Sequence, residues 1–254
     1  MRKGDLQTNS RSGELELFKY SSENLEEFVF SEKDKRFPER LSKEYVQRLP
    51  IVSFKGIIHL IDKREDLEKA IKILSQENVL GFDTETRPNF EKGKNNSVSL
   101  IQLSTQNEAY LIRLNFLGLS SELVSLLKDK NILKVGVAIL DDIRALQKLY
   151  KFDPGGFVEL SDIGNHLGIV TCGLQNLAAI FFGVRITKKE RLTNWDRLEF
   201  NESQCLYAAT DAWICLEMYL ILKKEKLLPE KIIWLMPKIK PPRSKKFFKK
   251  NKSK

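Results

Sequence analysis

The sequence of 254 residues contains few cysteines, few histidines and no long apolar run. Its three cysteines form neither a CxxC pair nor an even set for disulfides, so we expect reduced thiols, as in the cytoplasm. No window approaches about 18 consecutive apolar residues, which argues against a transmembrane helix. The first ten residues also lack the apolar core of a secretory signal. These absences favour a cytoplasmic globular protein, and nothing in the sequence indicates a membrane or an obligate protein partner.

The formal net charge of +9 is concentrated at one end of the chain. Residues 238–254 contain nine basic residues and no acid, whereas the rest of the chain has 34 basic and 34 acidic residues. Such a tail can bind phosphate backbones weakly and in a salt-sensitive way, or it can be a solvated end that does little. The charge alone therefore does not identify the protein.

The pattern of apolar residues divides the chain into four parts. The polar residues 1–13 are predicted to be disordered. Residues 14–54 mix short apolar groups with dense charge, and we expect a lead-in segment that packs on the main domain. Residues 55–226 have the regular patterning of that main domain, and residues 227–254 are a C-terminal extension with the basic tail.

The same periodicity predicts an α/β fold, a mixed sheet flanked by helices. Three consecutive strands without an intervening helix predict an antiparallel meander, and later strands that follow helices predict parallel connections. The predicted strands are 56–61, 79–86, 98–104, 109–113, 132–137 and 157–160, and the predicted helices are 42–49, 63–76, 121–129, 142–150, 174–182 and 202–224.

Asp83 and Glu85 lie two residues apart in the predicted strand 79–86. Side chains at positions i and i+2 of a strand project from one face, so the two carboxylates lie together. Adjacent carboxylates repel each other unless a cation neutralises them, and Mg²⁺ and Mn²⁺ prefer such oxygen ligands. The pair therefore indicates a metal site, although an exposed strand end with two solvated acids has the same spacing.

Two further motifs place acids on helices. Tyr207 and Asp211 are four residues apart in the predicted helix 202–224, so they share a face. Asp211 lies in an apolar stretch and needs a partner, either a metal ion or a nearby Lys or Arg. Asp141 and Asp142 follow the predicted strand 132–137, where an aspartate can also be a simple helix cap.

In this order and on these elements, the motifs resemble the DEDD superfamily of 3′–5′ exonucleases, which has a ribonuclease H-like fold. Tyr207 indicates the DEDDy branch, because the DEDDh branch has a histidine five residues before the last aspartate and position 206 here is leucine. The resemblance covers roughly residues 55–222 and is closest to the Werner-type exonuclease domain. The runs that carry it include 81–88, 98–104, 134–137, 161–163, 173–177, 188–195 and 206–212.

The resemblance implies a 3′–5′ exonuclease domain over residues 55–226 that acts on nucleic acid, with DNA favoured. It implies two Mg²⁺ or Mn²⁺ ions, with Tyr207 orienting the attacking water. Relatives usually have one acid where this chain has Asp141 and Asp142; counting from Gly136 selects Asp142, but Asp141 stays an alternative. The implied metal ligands are Asp83, Glu85, Asp142 and Asp211, and the implied substrate-binding residues are Arg191, Lys188 and Thr84.

Other functions are compatible with parts of this pattern. A ribonuclease D-like enzyme that processes RNA 3′ ends is an alternative within the nucleases. A catalytically inactive nucleic-acid-binding module of the same fold is a second, although such a protein is expected to have lost at least one acid. A small-molecule phosphohydrolase is a third, but it leaves the basic tail unexplained. A solvated charged loop is the simpler interpretation of Lys188 and Arg191.

Overall fold

The computed structural model describes residues 15–20, 29–87 and 97–230. The segment 1–13 that was predicted to be disordered and the basic tail 238–254 lie outside these residues. The described part of the chain forms one six-stranded sheet, in which the strand order is β1-β4-β3-β2-β5-β6. The strands are β1 (Ile57–Ile61), β2 (Val79–Thr86), β3 (Val98–Ser104), β4 (Glu108–Arg113), β5 (Leu133–Gly136) and β6 (Phe157–Glu159).

The pairing of the strands confirms the predicted mixed sheet. Strands β2, β3 and β4 form the antiparallel meander. The pairs β1–β4, β2–β5 and β5–β6 are parallel. In β2 and β3, Asp83 lies opposite Gln102, and the register shifts after Glu85.

Helices cover both faces of the sheet, as predicted. In the described residues they are α1 (Lys43–Arg48), α2 (Arg64–Leu74), α3 (Leu114–Leu117), α4 (Ser121–Lys128), α5 (Ile139–Leu149), α6 (Leu160–His166), α7 (Leu174–Phe182) and α8 (Glu202–Lys224). One core lies between the sheet and α7 and α8, and the other lies between the sheet and α2, α4 and α5.

The prediction from the sequence missed two helices and misplaced the start of a third. The helices α3 and α6 were not predicted, since each is a short turn that directly follows a strand. The helix α5 begins at Ile139, not at Asp142, so the two acids lie inside its first turn. The simple cap interpretation of these acids is therefore wrong, because the cap position is occupied by Ala138.

The helix α8 is the central helix of the fold. It packs across β2, β3, β4 and β5, and fifteen of its 23 residues are buried. By length and composition it could also cross a membrane, yet 72% of its most apolar window is buried inside the protein. Its apolar composition is explained by its position in the core.

The segment before β1 contacts both α7 and α8. Phe18 N donates to the Phe181 carbonyl oxygen at 2.7 Å, and Phe54 N donates to Thr210 Oγ1 at 3.0 Å. Phe37 is fully buried in the same core. The boundary between a lead-in segment and a main domain stays a prediction.

Candidate active site

The acids of β2 and α8 meet because these two elements approach each other very closely. A Cβ atom at Gly81 would overlap the Ala212 carbonyl oxygen and would lie 2.5 Å from Ser104 Oγ. Only glycine fits at this position, two residues before Asp83 on the same face of β2. The contact therefore brings Asp211, the neighbour of Ala212, to the carboxylates of β2.

Three acids form a compact cluster at this contact. One carboxylate oxygen each from Asp83, Glu85 and Asp211 lies within 4.8 Å of the others. Glu85 and Asp211 are buried and Asp83 is half-buried. The Oδ1 atom of Asp211 is buried without a hydrogen-bond partner among the described residues. A buried, unpartnered carboxylate oxygen among like charges is typical of a ligand that awaits a cation.

Asp142 joins the cluster from the first turn of α5. Its Oδ1 accepts a hydrogen bond of 2.5 Å from Thr84 Oγ1, and its charge acts directly on Asp83. Asp141 lies on the other side of the turn, where it forms an ion pair with Arg144 at 3.0 Å and its side chain is 89% exposed. The structure thus brings Asp142, and not Asp141, to the acids of β2 and α8.

Burial raises the pKa values of all four carboxyl groups, and repulsion from the other acids of the cluster adds to the rise at Asp83 and Glu85. Burial and then the charges of Asp142, Asp211 and Glu85 hold the pKa of Asp83 well above its usual range. Burial, followed by repulsion from Asp211 and Asp142, raises the pKa of Glu85 to about 9. The ionised cluster is therefore costly without a counter-charge, and these residues fit a divalent cation.

Hydrogen bonds from side chains oppose the rise in the pKa values of Asp142 and Asp211. Burial raises the pKa of Asp142 to about 6, and the bond from Thr84 opposes this rise. Burial raises the pKa of Asp211 to about 7, opposed by a hydrogen bond from Tyr207 and by the charge of Lys188. Asp142 and Asp211 are therefore easier to ionise near neutral pH than Glu85.

Tyr207 lies one turn before Asp211 on α8, as its spacing predicted, and it is largely buried. Burial, then the charges of Asp211 and Glu85, raises the pKa of its phenol well above the usual value. The hydroxyl therefore stays protonated and can donate a hydrogen bond, whereas it cannot act as a base at neutral pH.

Two of the predicted substrate-binding residues are near the cluster. Lys188 acts on the charge of Asp211, and Arg191 acts on the charge of Glu85. Both cations are exposed, and both belong to residues 187–201, which we call the basic loop. Thr84, the third predicted residue, uses its hydroxyl to bind Asp142. The substrate-binding role of all three stays a prediction.

Side chains hold the basic loop in place, because it has no helix or strand. Trp195 is fully buried, as expected for a core residue, and Gln204 Nε2 donates to Thr193 Oγ1 at 3.0 Å. The buried Arg113 donates to the carbonyl oxygens of Arg197 and Leu198 and packs between the rings of Phe116 and Phe200. The loop is therefore a fixed platform beside the acids.

The sequence interpretation missed Glu159, a buried carboxylate beside the start of α5. Its two oxygens accept hydrogen bonds from the backbone N–H groups of Ala138 and Ile139. It was placed in a predicted strand and given no role. An acid in an otherwise apolar strand (Phe157-Val-Glu-Leu) was the available signal, because a buried charge needs partners.

Comparisons with known proteins place the chain among nucleases. A family model described as a 3′–5′ exonuclease matches residues 58–226. The Mus musculus bifunctional 3′–5′ exonuclease/ATP-dependent helicase WRN is 33% identical over 181 residues, which cover 67% of this chain and 13% of that protein. The chain spans less than a third of the length of the first curated relatives that it matches.

Solved structures confirm the fold. The Aedes aegypti Nibbler EXO domain has a TM-score of 0.60 and 24% identity, and the match covers 73% of this chain and 90% of that one. The Trypanosoma brucei RNase D complex with RNA U12 has a TM-score of 0.63 and 19% identity, and the match covers 71% of this chain and 67% of that one. At these identities the likeness shows the architecture alone.

Proposed function

Because the chain belongs to the DEDD family of 3′–5′ exonucleases, we propose that it removes nucleotides stepwise from DNA 3′ ends by a two-metal mechanism. The main support is the convergence of four carboxylates and Tyr207 from β2, α5 and α8 at one site. We favour DNA over RNA because the sequence runs that resemble the Werner-type exonuclease domain, between residues 81 and 212, all lie inside the family match at residues 58–226.

In this proposal Asp83, Glu85, Asp142 and Asp211 hold Mg²⁺ or Mn²⁺. Such ions, when bound, stabilise the attacking and leaving oxygens of the phosphodiester during hydrolysis. The raised pKa values of the carboxyl groups fit this role, since a bound cation favours their ionised forms.

The remaining residues act on the substrate and on water. The protonated Tyr207 hydroxyl, which stabilises the charged form of Asp211, is proposed to hold the attacking water near that carboxylate. Arg191 and Lys188 attract the phosphates of the 3′ end toward the acids. Their cationic charge also keeps the carboxylates from repelling the polyanionic substrate.

The test is to incubate the full-length protein with 5′-labelled DNA and RNA, each as single strand, duplex and recessed duplex, in Mg²⁺, Mn²⁺ or EDTA. We expect a ladder of products shortened from the 3′ end, only with metal and faster on DNA. The matched control is Asp211→Asn protein purified in the same way, which reveals any contaminating nuclease.

The alternatives predict different results in the same experiment. Faster trimming of RNA supports the ribonuclease D-like function. Binding of the oligonucleotides without cleavage in any metal supports the inactive module. Strong activity in excess EDTA, or shortening from the 5′ end, contradicts the proposal.

A further inference from the structure

Glu159, at the end of β6, is buried with 8% of its surface exposed. Its Oε1 accepts hydrogen bonds from Ala138 N at 3.0 Å, Ser161 N at 3.0 Å and Ser161 Oγ at 2.5 Å, and its Oε2 accepts from Ile139 N at 2.9 Å. Four donors therefore converge on one carboxylate, which is the arrangement that stabilises a buried negative charge.

Two of these donors belong to the start of α5, where the local sequence provides no cap. Ala138 occupies the cap position with φ of 61° and ψ of 29°, a left-handed conformation that costs a non-glycine residue about 1–2 kcal/mol. Its methyl group cannot accept hydrogen bonds from the first backbone N–H groups of the helix, which have no partner within the helix. Glu159, which lies in β6, accepts these hydrogen bonds, although it is 21 residues from Ala138 and 20 residues from Ile139 in sequence.

The first turn of α5 carries Asp142, three residues after Ile139. The only hydrogen bond to the Asp142 carboxylate among the described residues comes from the Thr84 hydroxyl. The location of that carboxylate is therefore set by where α5 begins and in which direction it leaves β5.

We propose that Glu159 is a positioning residue for the metal site: it fixes the left-handed turn at Ala138 and thereby holds Asp142 against Asp83 and Thr84. This inference rests on the proposed metal-dependent function. Glu159 does not touch the cation or the substrate, since both of its oxygens are used by backbone and serine donors. Partners of this kind, one step removed from a metal ion, change metal affinity by about 10- to 100-fold.

The test compares the metal dependence of wild-type protein and Glu159→Gln. The amide keeps the size of the side chain. Its NH₂ group replaces a carboxylate oxygen that accepts hydrogen bonds, and an NH₂ group cannot accept a hydrogen bond from the N–H donors. We expect the half-saturating Mn²⁺ concentration for DNA cleavage to rise at least about tenfold. We also expect kcat at saturating Mn²⁺ to stay within about threefold, because Asp142 itself is present.

A second readout does not depend on activity. Mn²⁺ binding to the full-length protein without nucleic acid, measured from the electron paramagnetic resonance of free Mn²⁺, is expected to weaken by a similar factor. The matched control is Asp162→Asn, which removes an exposed acid from α6, three residues after Glu159. We expect this variant to leave both Mn²⁺ curves unchanged.

The substitution Ala138→Gly tests the turn itself. Glycine adopts a φ of 61° without strain, so the turn depends less on Glu159 in this background. We expect Glu159→Gln to shift the half-saturating Mn²⁺ concentration by a smaller factor in the Ala138→Gly background than in the wild-type background. If Glu159→Gln alone does not fold, the double variant is compared with Ala138→Gly: we expect a higher half-saturating Mn²⁺ concentration for the double variant, and equal values overturn the inference.

Several results overturn the inference. Unchanged Mn²⁺ curves for Glu159→Gln show that Asp142 does not depend on it. A lower kcat with unchanged Mn²⁺ dependence, or an effect that is the same in both backgrounds, assigns Glu159 a role elsewhere. A wild-type protein without metal-dependent cleavage instead removes the proposed function, and that outcome is seen before any variant is made.

Discussion

The acid cluster and the basic loop carry opposite charges at one site but are positioned in different ways. The acids project from β2, α5 and α8, where backbone hydrogen bonds define each position. The cations belong to a loop that is held by side chains: Trp195 in the core, Gln204 on Thr193, and Arg113 on two loop carbonyls. In the proposed function, the chemistry that depends on distances of a few ångströms uses residues on rigid elements, and the residues proposed to attract the substrate belong to a loop.

Arg113 shows that holding a loop in place through side chains can require the burial of a charged group. Its guanidinium is buried between two aromatic rings, and its Nε has no hydrogen-bond partner among the described residues. Burial lowers its pKa, opposed by Asp62 and other charges. A buried cation is costly, so its stabilising contacts with the loop and the rings matter for the fold as well as for the site.

The largest effect is expected from breaking the acid cluster. Asp211→Asn and Asp142→Asn remove one ligand charge each without changing the shape of the side chain. We expect kcat to fall by at least about 10³-fold, equivalent to about 4 kcal/mol of transition-state stabilisation. Single-turnover cleavage of a labelled oligonucleotide in Mg²⁺ measures this loss, with circular dichroism to verify folding.

Asp141→Asn is the matched control for this comparison. It changes an exposed aspartate in the same turn of α5, and we expect its rate to stay within about twofold of wild type. If Asp141→Asn removes activity and Asp142→Asn does not, the assignment of the third acid is wrong.

A smaller effect is expected on the stability of the metal-free protein. The pKa of Asp211 is raised from 3.8 to about 7 in the folded state, so the folded protein binds more protons than the unfolded chain between these values. Stability therefore falls as pH rises from about 4 through about 7. Asp211→Asn removes this loss, so the metal-free variant should be more stable than wild type at pH 8, by up to about 4 kcal/mol.

Urea unfolding in EDTA at pH 5 and pH 8 measures this difference. At pH 5 the aspartate is mostly protonated in the folded state and mostly ionised in the unfolded chain, so we expect a smaller gain from asparagine, about 1.5 kcal/mol. Equal gains at the two pH values would show that repulsion and burial of the charge are not the cause. Saturating Mn²⁺ should reverse the order at pH 8, because only wild type keeps all four ligand charges.

The smallest effect is expected from the basic loop. Arg191→Ala removes a solvent-exposed cation that acts on Glu85 and is predicted to attract the substrate phosphates. We expect KM for a DNA oligonucleotide to rise about fivefold, or about 1 kcal/mol, while kcat stays within about twofold. Lys189→Ala removes a cation from the same loop and is expected to change KM less.

Salt dependence sharpens this prediction. Since fewer counterions are released on binding, the slope of log KM against log salt should be flatter for Arg191→Ala than for wild type. An equal slope, or a loss in kcat instead of KM, would place Arg191 in the chemical step. The acid cluster and the basic loop would then not have the separate roles of catalysis and substrate attraction that we propose.

Local periodicity was sufficient to predict most helices and strands and two pairs of candidate active-site residues. Asp83 and Glu85 share one face of β2, and Tyr207 and Asp211 share one face of α8, since each pair depends on the geometry of a single element. The meander was predictable because its three strands follow each other without a helix. The short helices α3 and α6 were not, because four to seven residues are too few for a periodic signal.

The sequence by itself thus determined which residues stand together within one strand or one helix, and the resemblance that they carry identified the family. The tertiary structure decided what depends on contacts between distant elements. The approach of Ala212 to Gly81 brings the acids of α8 and β2 together, and the packing of α5 brings Asp142, not Asp141, to Thr84 of β2. Such contacts have no period along the chain, since each depends on how separate elements pack, so only the folded structure reveals them.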